Sequence, residues 1–133
     1  MQEKVSYLSQ EWRDEAEKRL KEEITPEKMK NLTSSVAYVY LDSPGGKTKF
    51  LYFRTDNGTF AEVLVGDNEP PQADFRVTGP YELFANVTQG KISSQRALMS
   101  GKLKLKGNMV KALKLASLAD RINKVLAAIP TLY

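Results

Sequence analysis

Apolar residues recur every four positions near the start of the chain. Leu8, Trp12, Ala16 and Leu20 fall on one helical face, with glutamate, lysine and arginine filling the rest, and this spacing predicts an amphipathic helix from about Val5 to Glu23. Thr25-Pro26-Glu27 reads as a fresh start, with Thr25 as N-cap and Pro26 at the first helical position, followed by a short helical turn through Met29 to Leu32. The pattern then changes to strand-like alternation. Val36 to Leu41 is β-branched and aromatic at both alternating sets of positions, which predicts a central strand covered at least in part on both sides. Ser43-Pro44-Gly45-Gly46 turns the chain into a second strand, Phe50 to Thr55. Asp56-Asn57-Gly58 is a hairpin signal, because Asn-Gly accepts positive φ, and it leads to a third strand, Phe60 to Val65. An antiparallel meander is the simplest reading of the three.

Pro70-Pro71 marks a connecting loop. Ala73, Phe75 and Val77 then alternate with Asp74, Arg76 and Thr78, a half-buried fourth strand. Gly79-Pro80-Tyr81-Glu82 begins a helix that Gly90 ends, and Ser93 to Ser100 forms a short one closed by Gly101. Lys102-Leu103-Lys104-Leu105-Lys106 is a fifth strand with leucines inward; its outward lysines suit a sheet edge. Asn108 caps a last helix running to about Ile129, with Ala119-Asp120 as the point where it would break if it breaks. Its polar stripe (Lys111, Lys114, Ser117, Arg121, Lys124) is narrow, and the remaining arc is apolar. The predicted class is α+β: a five-stranded, mostly antiparallel sheet in the order helix, three-strand meander, crossover, strand, helix, strand, helix, with the helices on one face. No repeat or linker divides the chain, so residues 1–133 read as a single domain.

Composition narrows the chemistry more than it names it. Cysteine and histidine are both absent, which excludes disulfides and thiolate sites and removes the commonest general base and transition-metal ligand. Gly46-Lys47-Thr48 resembles the end of a phosphate-binding loop, but the glycine required five residues earlier is Leu41, and the segment enters a strand. The acids Asp74, Glu82 and Asp120 have no partner base. No catalytic residue, metal site or cofactor is expected. Met1 to Leu20 is charged throughout, and no run approaches the roughly 18 apolar residues of a membrane span, so a cytoplasmic location is expected.

Charge is uneven: residues 1–89 carry 11 basic and 15 acidic side chains, whereas residues 90–133 carry 9 basic and 1 acidic. The basic third is a solvated face or one that meets an anionic membrane peripherally. Nucleic acid is not expected, since leucines rather than aromatics separate the lysines.

The stretch from Gly90 to Leu115 carries the most specific signal. Gly90-Lys91 is followed by a short helix through Ala97-Leu98-Met99-Ser100, then by Gly101-Lys102-Leu103-Lys104-Leu105-Lys106-Gly107-Asn108 and an apolar helix. This resembles the signature of the type-2 sterol carrier protein family, over roughly Ala73 to Ile122. The likeness implies an α+β domain with an apolar tunnel between sheet and helices, non-catalytic binding and transfer of a fatty acyl, phospholipid, isoprenoid or sterol-like ligand, and no cofactor. Carried onto this chain, the implied lining is Phe84, Val87, Leu98, Met99, Leu103, Leu105, Met109, Leu113, Leu118 and Ile122. Two rivals stand beside it. One is an interaction or accessory module with a filled core, in which Ala37, Val39 and Leu41 would present the outer sheet face to a partner or to a second copy of the chain. The other is an enzyme using lysine or tyrosine.

Overall fold

The computed structural model describes residues 4–133; the charged stretch from Met1 to Leu20 therefore begins outside the described residues. Strand β1 (Val5–Ser6) pairs in parallel with β7 (Thr131–Leu132), tying the two ends of the described chain together. Helix α1 (Gln10–Glu23) starts later than its periodicity suggests, because Leu8 adopts φ 65° and Ser9 then caps the helix, accepting from the Trp12 N–H at 3.2 Å. Trp12, Ala16 and Leu20 are fully buried, as the four-residue spacing predicts. The helical turn expected after Pro26 is a series of turns instead. Thr25 Oγ1 accepts from Lys28 N–H at 3.4 Å, but Lys30 and Asn31 then take φ of 54° and 52°, which ends any helix.

The meander forms from β2 (Ser34–Ser43), β3 (Lys47–Asp56) and β4 (Thr59–Asp67), with Asn57 at φ 50° and Gly58 at φ 82° in the hairpin. Then come β5 (Phe75–Pro80), α2 (Tyr81–Thr88), α3 (Ser94–Met99), β6 (Lys104–Lys106) and α4 (Met109–Ala127). The spatial order is β4-β3-β2-β5-β6, so β6 is an edge strand. β2–β3, β3–β4 and β5–β6 pair antiparallel, while β2–β5 is parallel, because the loop through Pro70-Pro71 carries the chain back beside β2. The sheet is mixed. α4 is one unbroken helix, capped by Asn108, whose Oδ1 accepts from Lys111 N–H at 3.0 Å; Ala119-Asp120 is no break.

The two faces of the sheet differ. Tyr38, Tyr40, Leu51, Phe53, Val63 and Val77 point to the helices. Ala37 and Val39 point the other way and are nonetheless buried, because their cross-strand neighbours cover them: Tyr52 and Arg76 beside Ala37, Phe50 and Thr78 beside Val39. β2 is thus covered on both sides, with a helical layer on one side only. Among the helices, α1 lies against β4, and α2 against β2 and β5. α4 packs mainly on α1, α2 and α3 rather than on the strands.

Candidate functional site

The gap between α4 and the sheet is a partly enclosed cavity of about 120 Å³. Its roof follows from residue size and helical spacing. Ala112, Ala116 and Ala119, with Leu115 and Ile122, share one side of α4, and all five line the space. The three alanines place methyl groups where larger side chains would reach the strands. Tyr38, Leu51, Phe53 and Val77 form the floor, and α2 closes one side with Phe84 and Val87. Gly79 on β5 lets the neighbouring wall close up: a Cβ there would lie 2.4 Å from a methyl of Leu103.

Of the residues named from the sequence, Phe84, Val87, Leu98, Leu103, Leu105, Leu118 and Ile122 all border the cavity. Met99, Met109 and Leu113 do not. Met99 ends α3 and is 70% exposed; Met109 opens α4 and is 43% exposed. Met109 shares the stripe of Ala112 and Ala116 but sits a turn beyond the cavity, and Leu113 is rotated off that stripe. The strand side of the wall, Tyr38, Tyr40, Leu51 and Phe53, was absent from the sequence list. Its signal was present in the alternation of the first two meander strands, whose inward set is aromatic and aliphatic.

The polar side chains of the wall form local pairs. Tyr7 Oη lies 2.9 Å from Tyr40 Oη and 2.8 Å from Thr88 Oγ1, so the one hydroxyl engages both. Ser34 Oγ donates to Asp74 Oδ2 at 3.1 Å, and Ser35 Oγ accepts from Asp74 N–H at 2.9 Å. Thr55 Oγ1 donates to the Ser34 carbonyl at 3.4 Å. Asn123 Nδ2 donates to Ser94 Oγ at 3.1 Å, while Asp120 caps α3 by accepting from Ser94 N–H at 2.9 Å. Tyr38 stands apart: among the described residues its hydroxyl has no hydrogen-bond partner. It keeps accessible surface although protein surrounds it, because that surface faces the cavity. Burial, with a smaller push from the Asp120 carboxylate, raises its pKa to about 12. Burial likewise drives the phenols of Tyr7 and Tyr40 upward.

No lysine, arginine, aspartate or glutamate lines the space. Among the described residues no cluster of three or more His, Cys, Asp or Glu could hold a metal ion, and no helix is long and apolar enough to cross a membrane. The arrangement offers an apolar volume with one unengaged hydroxyl and no charge in its wall.

Comparison with known proteins bears on the family and the fold. Residues 14–120 match the SCP-2 sterol transfer family. A hydroxysteroid dehydrogenase-like protein 2 from Bos taurus is 36% identical over 95 residues, which cover 71% of this chain and 22% of that one. The chain thus spans about a fifth of that relative's length. A fatty acid-binding protein from Yarrowia lipolytica is 37% identical over 73 residues, 54% of this chain and 55% of that one. In three dimensions, a crystal structure of sterol carrier protein 2 superposes with a TM-score of 0.80, at 21% identity, covering 93% of this chain and 99% of that one.

Proposed function

The chain belongs to the SCP-2 sterol transfer family, and from that membership and its cavity we propose that it binds the apolar part of a lipid, without catalysis, between α4 and the sheet. The observation that carries this reading is the alanine-lined roof. A folded domain normally fills its interior to crystal-like density, yet here a helix stands off its sheet over a space lined largely by apolar side chains. Uptake would be driven by removing the tail from water, about 0.8 kcal/mol per methylene, less the cost of association. The space is no larger than the roughly 150 Å³ apolar void known to hold one benzene, so a long tail needs more room. α4 is the wall to supply it, since it packs mainly on the other helices. A lining without charged groups suits loose selection by apolar volume.

Access from a membrane fits the surface beside the cavity. Met99, Met109 and Val110 are exposed, and Lys102, Lys104, Lys106 and Lys111 are exposed around them in sequence. Apolar side chains among lysines suit shallow docking on an anionic bilayer.

The test is native mass spectrometry of protein purified from its own host, with extraction of whatever co-purifies. A near-stoichiometric lipid is expected. An empty protein that also refuses fluorescent acyl probes would remove the carrier reading and leave the interaction-module alternative.

A further inference from the structure

We propose that the Tyr38 hydroxyl is the head-group contact of the cavity, and that the ligand it selects carries an uncharged oxygen acceptor, such as an alcohol, ketone or ester, in preference to a carboxylate. This rests on the lipid-binding reading and narrows it. Every other polar side chain in the wall already has a protein partner, through Tyr7, Asp74, the Ser34 carbonyl or the Asn123–Ser94 pair. Among the described residues Tyr38 is the one polar side chain of the wall with no protein partner at all, so both its donor and its acceptor are free for a ligand. Its ring is held in place by edge-on contacts with Phe84 and Phe53, at centroid distances of 5.7 and 6.3 Å, and its strand neighbours are Leu51 and Val77. The hydroxyl therefore sits at a fixed point among apolar groups, where an unmet donor is costly and a ligand oxygen relieves the cost.

The same surroundings exclude a charged head. A carboxylate brought to Tyr38 would lose its water without gaining a cation, because no basic side chain lines the cavity. The nearby charge is Asp120, which has the same sign and acts on the Tyr38 phenol. The upward shift of that phenol keeps it a donor across the neutral and moderately alkaline range. A neutral oxygen accepts its proton and meets no such repulsion.

The experiment titrates the delipidated full chain with 1-octanol, octanoate and toluene by calorimetry at about pH 8, where an aliphatic carboxylate is ionised. Octanol is expected to bind at least about tenfold tighter than octanoate, since the anion meets the desolvation cost. Tyr38→Phe is expected to weaken octanol by about three- to tenfold, the worth of one neutral hydrogen bond, and to leave toluene unchanged. Octanoate binding as tightly as octanol, or octanol indifferent to Tyr38→Phe, would overturn the assignment. So would loss of toluene together with octanol in Tyr38→Phe, which would place the effect in ring packing. If neither octanol nor toluene binds the unaltered chain, the lipid-cavity reading itself falls.

Discussion

Filling the cavity from its roof tests both its existence and its use. Ala119 lies on α4, borders the space and is only half-buried. Ala119→Leu adds three carbons pointing at the strands, with little change in helix propensity. Complete burial of those carbons would contribute about 2.4 kcal/mol at 0.8 per methylene. Independently, a void of 120 Å³ at about 24 cal/mol per Å³ carries a penalty of about 3 kcal/mol, an upper limit here because the space is partly open. Strain from an imperfect fit takes back about 1 kcal/mol or more. The expected net gain is about 1 kcal/mol for the ligand-free protein, or roughly 4 °C in Tm. Affinity for toluene should fall by about tenfold or more, because the leucine occupies the ligand's volume. Urea unfolding and calorimetric titration of delipidated protein measure the two effects. Ala127→Leu, on an exposed position of the same helix, is the control and should change stability by less than about 0.5 kcal/mol. A destabilised Ala119→Leu protein with unaltered toluene binding would refute the reasoning, since that site would then be packed rather than open.

Other perturbations address the frame around the cavity. Tyr7→Phe removes a hydroxyl that engages both Tyr40 and Thr88; with those buried groups left unpaired, unfolding free energy should drop by about 1–3 kcal/mol in urea titration. Stability should fall as pH rises above about 10. The folded chain holds the Tyr38 proton to about pH 12 while the unfolded chain has released it, so the folded state binds more protons and the slope is negative. This contribution is intact below pH 10 and is lost through 12, at about 1.4 kcal/mol per unit while only the unfolded form is ionised; urea midpoints that stay flat from about pH 9 to 12 would contradict it. Gly58→Ala places a Cβ 2.6 Å from the Pro26 carbonyl oxygen at φ 82° and should cost about 2–4 kcal/mol, read from the denaturation midpoint. Binding to phosphatidylserine vesicles should weaken as salt rises, and Met109→Asp with Val110→Asp should reduce it about tenfold further; sedimentation that ignores both changes would exclude docking through this surface.

Much of the fold was legible because local signals agreed with one another. The four-residue spacing of Trp12, Ala16 and Leu20, the Asn57-Gly58 turn and the Asn108 cap each constrain a few residues, and the chain obeys all of them. What was not legible depended on distant partners. The parallel pairing of β2 with β5 depends on where the crossover loop delivers the chain, and the β1–β7 pair joins segments more than a hundred residues apart. The wall was half legible for the same reason. A sequence motif pointed to α2, α3, β6 and α4, and seven of ten named residues border the space. The methionines were singled out for their flexible chemistry, but Met99 and Met109 sit at helix ends facing solvent. Which face of a helix meets a cavity is set by its neighbours, and neither residue type nor motif membership decides it.

The contrast between a filled core and a binding cavity comes down to a few positions on α4. Large residues at 112, 116 and 119 would have reached the strands and sealed the interior, at a gain in stability. The chain has alanine at all three, while Trp12, Leu20, Phe60 and Val63 pack the region between α1 and β4 without residual exposure beyond 2%. One end of the molecule is thus built for density and the other is left loose beneath a helix that leans on its fellow helices. The outer sheet face is mostly closed: of Ala37, Val39 and Leu41, the first two are buried by their own strand neighbours and only Leu41, at the strand's end, is exposed, at 40%. An interaction module with a closed interior would require the opposite distribution, a dense core under α4 and an uncovered apolar face on the sheet.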